Sequence, residues 1–310
     1  MIAYFARLIA LSLACLFLVN LAASVVVAFL VPRVIARARG LRADSAAQFV
    51  LALRLSPAFA AIFAVAVLCV PSYLWLEPVS AAEDFGVACS IAAALGFAVV
   101  SRSLWRAARA IVRSRRLTRT AVNEISIVDA PGSFMATTGL FRPRILVSRA
   151  AADSLSQAQF DAAIRHERAH GTSRDNLKRL FQLAAPEPFP FWRGTAHTLD
   201  REWARFAEFA ADDRASAGDI DVCVSLAEAL VQLARAGNAP ELPLATSLMA
   251  DSRDLAARVD RLLAGVHPHA ATRSHWKTAG VISASILCCA AIANPASLLR
   301  VHNLLEVFFR

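Results

Sequence analysis

Long stretches without a charged residue constrain this chain most, because a run of about 20 apolar residues can cross the hydrocarbon core of a bilayer. We predict four transmembrane helices, at about 8–31, 56–76, 85–105 and 278–299. The composition agrees, since 57% of the 310 residues are hydrophobic, 18% are charged and the mean hydropathy is +0.50. An ordinary soluble domain is less apolar than this. The sequence therefore predicts an integral membrane protein.

The placement of arginine predicts how the chain is oriented. The loop after the first run and the segment after the third run are rich in arginine, whereas the second loop carries Glu77, Glu83 and Asp84 without a basic residue. By the positive-inside rule, the N-terminus lies outside and the region between the third and fourth runs lies in the cytoplasm. We expect a bacterial inner (cytoplasmic) membrane protein.

Three parts follow from this reading. Residues 1–109 form a membrane region with three spans, residues 110–275 a cytoplasmic domain, and residues 276–310 the fourth span with a short tail. The net charge of +9 comes largely from arginines at the membrane edges, which lack interleaved aromatic residues. That pattern favours contact with the lipid bilayer over nucleic-acid binding.

The cytoplasmic part contains a His-Glu-x-x-His pattern at 166–170. On a helix, His166 and His170 stack on one face, so both imidazoles can reach one metal ion. Glu167 flanks that ion and is placed to take a proton from a metal-activated water and to deliver it to a leaving amine. The pattern is typical of a zinc metallopeptidase, and Zn²⁺ is the expected cofactor. An exposed helix that carries these side chains without a metal is the alternative.

The surrounding sequence supports the metal interpretation. Ser156 and Gln159 form a predicted capping box ahead of the motif, which places the motif inside a helix. Downstream, Glu208 and Asp212 lie one helical turn apart in an apolar segment, where buried carboxylates need a cation. We predict Glu208 as the third metal ligand and Asp212 as the acceptor for the free ring N–H of His166. The alternative is that Glu208 and Asp212 are solvated on a helix surface.

The cytoplasmic part is predicted to be mostly helical with a small sheet. Segments 125–129 and 144–148 are the strand candidates. Such an edge could hold a substrate as an added strand, or the sheet could merely cap the helices. Three prolines within 180–192 predict a surface loop, and 195–215 is predicted as the helix that carries Glu208. The fold class is a mainly α membrane protein with a cytoplasmic α+β zincin-like domain.

The sequence pattern leaves the roles of the remaining candidate site residues open. Asp175 could orient a ligating histidine or could simply be a charge at a helix end. An oxyanion donor is common in such sites, and we name His197 for that role, with Asn176 and Arg214 as alternatives.

Segments 139–148, 166–170 and 208–212, together with Asp175, resemble the membrane zinc peptidases related to the BlaR/MecR antibiotic-sensing transducers. The resemblance covers about residues 1–265. It implies a gluzincin, with zinc on His166, His170 and Glu208 and with Glu167 as general base. Members that sense β-lactams carry a penicillin-binding domain after the last span, and this sequence lacks it, so β-lactam sensing is not implied.

The function implied by this resemblance is a membrane-embedded zinc endopeptidase that cleaves a cytoplasmic or membrane-proximal protein, such as a transcriptional repressor in a signalling pathway. Two alternatives stay open: a quality-control protease of the HtpX type, and a membrane scaffold that signals without cleavage. The interval between His170 and Glu208 is too short for the extra spans of HtpX-type proteases. A transporter is disfavoured because the apolar runs lack ionisable residues.

Overall fold

A computed structural model describes residues 2–76, 86–120, 123–188, 190–236, 246–247, 254–265 and 299–300. Ten α-helices and four strands are labelled in these ranges. The N-terminal part contains α1 (Ile2–Ala38), α2 (Ala43–Phe63), a π-helical segment (Ala64–Cys69), α3 (Val70–Leu76) and α4 (Val87–Thr120). The rest contains β1 (Ile125–Val128), β2 (Met135–Thr138), β3 (Arg144–Ser148), α5 (Arg149–Ser154), α6 (Gln157–Ser173), α7 (Asp175–Ala184), α8 (Pro190–Ser216), α9 (Ile220–Ala236), β4 (Thr246–Ser247) and α10 (Leu255–Leu263).

Three helical stretches are long and apolar enough to cross a membrane: Tyr4–Ala38, Ala43–Leu76 and Val87–Arg116. They overlap the first three predicted spans; the first stretch extends beyond its prediction at both ends, the second at its N-terminal end and the third at its C-terminal end. The fourth predicted span, 278–299, lies almost wholly outside the described residues. The π-helical segment ends two residues before Pro71, whose missing N–H leaves a carbonyl one turn earlier without its helical donor.

The apolar stretches pack closely where small residues allow it. At Gly96 on α4, an added Cβ would lie 2.3 Å from the Leu13 carbonyl oxygen of α1. A glycine at this position lets two helix backbones approach, as is common between membrane helices. A buried apolar cluster that includes Leu11, Phe17 and Tyr73 surrounds this contact.

The small sheet has the strand order β1-β3-β2-β4. β1 pairs with β3 in parallel, β2 pairs with β3 in antiparallel fashion, and β4 pairs antiparallel to β2. The predicted strands at 125–129 and 144–148 are present as β1 and β3. Sequence reasoning missed β2 because all four of its residues are buried, so no polar alternation marks it. One edge of β2 is taken by β4, so a substrate strand cannot add there while β4 is in place.

The proline-containing segment differs from its prediction as a surface loop over 180–192. α7 continues through Ala184 and α8 begins at Pro190, so only a short connection separates them. Proline is well tolerated at the first position of a helix, because its missing N–H needs no partner there. α8 is therefore one turn longer than the predicted 195–215 helix at its N-terminal end.

This connection, residues 185–188, is held by helices α1, α2 and α4. Asn20 of α1 donates from Nδ2 to the Pro186 carbonyl at 3.2 Å. Arg54 of α2 donates to Glu187 Oε1 at 3.2 Å, and Arg106 of α4 donates to Glu187 Oε2 at 2.6 Å. The start of α8 is thereby fixed to three helices that could span the membrane.

Two apolar clusters then position the helices that carry the candidate site. One lies between the sheet and helices α6, α9 and α10, and includes Met135, Val147, Ile164 and Leu230. In the other, Trp203 and Leu199 of α8 pack against α1 and α2. α8 is therefore shared between the membrane helices and the part of the chain that holds the sheet.

Candidate metal centre

Helix α6 presents the histidine pair from its buried face. Its N-terminus has the predicted capping box, in which Ser156 Oγ accepts from Gln159 N and Gln159 Oε1 accepts from Ser156 N. His166 and His170 lie one turn apart, are fully buried, and bring their Nε2 atoms to 3.0 Å from each other. The predicted helical context of the motif is therefore confirmed.

Helix α8 brings a carboxylate to the same point. Glu208 Oε2 lies 3.3 Å from His166 Nε2, and Glu208 Oε1 lies 3.6 Å from His170 Nε2. One ligand atom from each of the three residues lies within 4.8 Å of the others, and all three residues are buried. The group could hold a metal ion, so Glu208, which lies 38 positions after His170 in sequence, joins the histidine pair in one candidate site.

Each histidine has a carboxylate on its other ring nitrogen. Asp212 Oδ1 lies 2.9 Å from His166 Nδ1, and Asp175 Oδ2 lies 2.8 Å from His170 Nδ1. A neutral imidazole carries one N–H, and a carboxylate at Nδ1 places that proton on Nδ1. Both Nε2 atoms then direct lone pairs into the site. Asp175, left open from the sequence, thus orients His170.

The electrostatics of this arrangement favour a cation. The two Nε2 atoms face each other at 3.0 Å in a buried space. The buried Glu208 oxygens contact His166, His170 and Arg258, and neither oxygen makes a well-aligned hydrogen bond with a described residue. Burial opposes the charged form of His170, but the carboxylates of Glu208 and Asp175 outweigh it and raise its pKa to about 10. A positive charge at the centre of the group is thereby stabilised.

Glu167 lies beside the metal group. Its pKa is raised, whereas the pKa values of Asp175, Glu208 and Asp212 are lowered. It is fully buried, and its Oε2 accepts a hydrogen bond from Thr137 Oγ1 of β2 at 2.7 Å. Burial raises the pKa of Glu167 and outweighs the opposing effects of His170, His166 and the Thr137 hydroxyl. A carboxyl whose pKa is shifted towards neutrality can both take up and return a proton.

Arg258 of α10 is the site residue that the sequence did not indicate. It donates to both Asp212 oxygens, from Nε at 2.9 Å and from Nη2 at 2.7 Å. Its Nη1 also lies 3.0 Å from Glu208 Oε2. Burial would raise the pKa of Asp212, but the charge of Arg258 and the contact with His166 lower it to about 2. An isolated arginine in a short amphipathic helix carries no motif that could have revealed this contact.

The proposed oxyanion donors do not join the group. His197 is exposed on α8, and it precedes Glu208 by eleven residues, about 16 Å along the helix axis. Asn176 donates to the carbonyls of Thr137 and Gly139. Arg214 donates to Ala169 O and to Asp44. The structure therefore brings together Glu167, the three candidate ligands and two orienting carboxylates, without His197.

No protein-family model matches the sequence, and no curated protein matches it at a significant level. The functional interpretation therefore depends on the chemistry of the residues themselves.

Proposed function

We propose that this protein is a membrane-embedded, zinc-dependent endopeptidase. The observation that carries the proposal is the buried group of His166, His170 and Glu208, with Glu167 next to the first histidine on the same helix. Two imidazoles and one carboxylate form a ligand set of catalytic zinc sites, which leave further positions open for water and substrate. The resemblance to the BlaR/MecR-related peptidases points in the same direction.

The residues divide into three roles. His166, His170 and Glu208 would hold the ion, and Asp212 and Asp175 fix the tautomer and rotation of the two imidazoles. Zinc in such a site supplies Lewis-acid activation of water and of a peptide carbonyl.

Glu167 supplies the proton transfer. Its Oε1 is buried without a hydrogen-bond donor among the described residues, whereas Oε2 is held by Thr137. Glu167 takes the proton from the attacking water through that free oxygen. It then delivers the proton to the amine that leaves when the peptide bond breaks.

The substrate class follows from where the site lies. α8 carries Glu208 and packs against α1 and α2, and its N-terminus is fixed to α1, α2 and α4 through residues 185–188. With the arginine-rich side of the membrane in the cytoplasm, the site faces a cytoplasmic or membrane-proximal protein. A transcriptional repressor is one such substrate, and the inner membrane is the expected location.

The proposal is tested on the full-length protein purified in detergent. Metal analysis should find close to one zinc per chain, and the protein should cleave a protein or peptide library. Glu167→Gln should retain the zinc and lose cleavage, because it keeps the ligands and removes the base. Glu124→Gln is the matched control, since Glu124 is exposed and pairs with Arg168 at the surface. Equal cleavage by wild type and Glu167→Gln would refute the peptidase proposal, and absence of bound metal would refute the zinc site.

A further inference from the structure

Arg258 is a buried cation within a site already proposed to bind a cation. Only 4% of the residue is exposed. It lies on α10, where Leu262 and the partly buried Val259 pack against the same core cluster as α9. Removing a guanidinium from water is unfavourable unless carboxylates and hydrogen bonds compensate for it. The contacts of Arg258 therefore reveal what this side chain does.

The guanidinium contacts two carboxylates that act on the metal group in different ways. Its paired donation to Asp212 fixes the rotation of that carboxylate, because two parallel hydrogen bonds define a plane. The same Asp212 Oδ1 lies 2.9 Å from His166 Nδ1. The third nitrogen of the guanidinium lies 3.0 Å from Glu208 Oε2. The Arg258 guanidinium thus contacts both Glu208, which is a candidate ligand, and Asp212, which orients His166.

We propose that Arg258 is the positioning residue of the metal centre. It holds Asp212 so that His166 Nε2 points into the site, and it restricts the rotation of Glu208 towards the two imidazoles. This inference deepens the proposed function, because it concerns the same metal group, but it rests on metal binding and not on peptide hydrolysis. α10 contributes no ligand of its own, yet the site depends on it for this charge.

A purely structural role for Arg258 would be an ion pair that joins α10 to α8. The chain offers a matched control for that role one turn further along α10. Arg261 pairs with Asp213 through both carboxylate oxygens, with Nη2 at 2.8 Å from Oδ2. Asp213 is adjacent to Asp212 in sequence; its carboxylate pairs with Arg261, and its carbonyl accepts a hydrogen bond from Ser216 Oγ. Loss of Arg261 therefore removes a similar link between the same helices, together with its hydrogen bond to the Phe209 carbonyl, and leaves the Arg258 contacts with Glu208 and Asp212 in place.

The test measures zinc affinity of the full-length protein in detergent by competition with a chromophoric chelator. Arg258→Met should weaken zinc binding by about 10- to 100-fold, the effect typical of residues that orient metal ligands. Arg258→Lys should recover part of the loss, since lysine restores the charge but not the planar pair of hydrogen bonds. Arg261→Met should bind zinc like the wild type. The melting temperature of each metal-free variant reports the structural contribution separately.

Four results would overturn the inference. Unchanged zinc affinity in Arg258→Met would show that the ligands hold their positions without it. Tighter binding would show that the arginine charge competes with the metal. Equal weakening in Arg258→Met and Arg261→Met would assign the effect to helix packing. If Arg258→Met does not fold, wild-type affinity in Arg258→Lys would be the overturning result. A wild-type protein that binds zinc but cleaves no peptide would contradict the proposed function. The inference about Arg258 would then still be decided by the zinc affinities of the variants.

Discussion

Asp175 accepts from His170 Nδ1 at 2.8 Å, from a position directly after the left-handed residue Arg174 that ends α6. The sharp change of direction at Arg174 returns α7 towards the histidine face of α6. Lys178 then donates to the other Asp175 oxygen at 2.7 Å and holds the carboxylate in place. A residue only five positions after the second histidine thus becomes its orienting partner through the turn between two helices.

Replacement of this carboxylate should weaken the metal site without removing a ligand. We expect Asp175→Ala to lower zinc affinity by about 10- to 100-fold, because His170 loses the group that fixes its tautomer. The chelator competition described above measures this. Asp161→Ala on the exposed face of α6, where the side chain contacts Gln157, is the control and should bind zinc normally. Wild-type affinity in Asp175→Ala would contradict the orienting role.

The Thr137 hydroxyl should set the pH dependence of cleavage through Glu167. The hydroxyl donates to Glu167 Oε2 and stabilises the charged carboxylate, so Thr137→Val should raise the pKa of Glu167 further above its ordinary value. The base must be ionised to act, so the acidic limb of the kcat/KM profile should move to higher pH. Thr137→Ser keeps the donor and should leave the limb in place. His197→Ala should also match wild type, since this side chain lies away from the group.

The buried ion pairs at residues 185–188 should matter for stability. The Arg54 side chain is 1% exposed and pairs with both Glu187 and Asp200. Arg54→Met removes the positive charge that neutralises these two carboxylates. Breaking a buried ion pair lowers the free energy of unfolding by about 3–5 kcal/mol. We expect the melting temperature in detergent to fall by several degrees. The exposed Arg149, which pairs with Asp129, is the control, and Arg149→Met should melt like the wild type.

The contact at Gly96 should tolerate no side chain. An added Cβ would lie 2.3 Å from Leu13 O and 2.9 Å from Leu13 C, and both atoms belong to the α1 backbone. Gly96→Ala should therefore separate α1 from α4 and destabilise the protein by about 1–3 kcal/mol. Gly194→Ala on α8 meets no atom within 4 Å and should be neutral or stabilising by up to about 1 kcal/mol. Equal melting temperatures for both variants would refute the close helix contact.

The sequence by itself determined the features that depend on local periodicity. The charge-free runs predicted three helices that the structure contains, and the capping residues Ser156 and Gln159 predicted where α6 begins. The four-residue spacing of His166 and His170 required both rings to share a helix face. A carboxylate pair in an apolar segment also indicated Glu208 and Asp212, because burial of acids without a cation is unfavourable.

The tertiary structure alone decided the contacts between distant segments. Arg258 reaches Asp212 across 46 positions in sequence, and only the packing of α10 on α8 creates that contact. The prolines within 180–192 predicted a surface loop, yet most of that segment is helical, and polar groups on α1, α2 and α4 hold the connection at 185–188 in place. β2 carries no alternation because it is buried on both faces. In each case the deciding interaction is a long-range hydrogen bond or packing contact, and local sequence does not encode the partner.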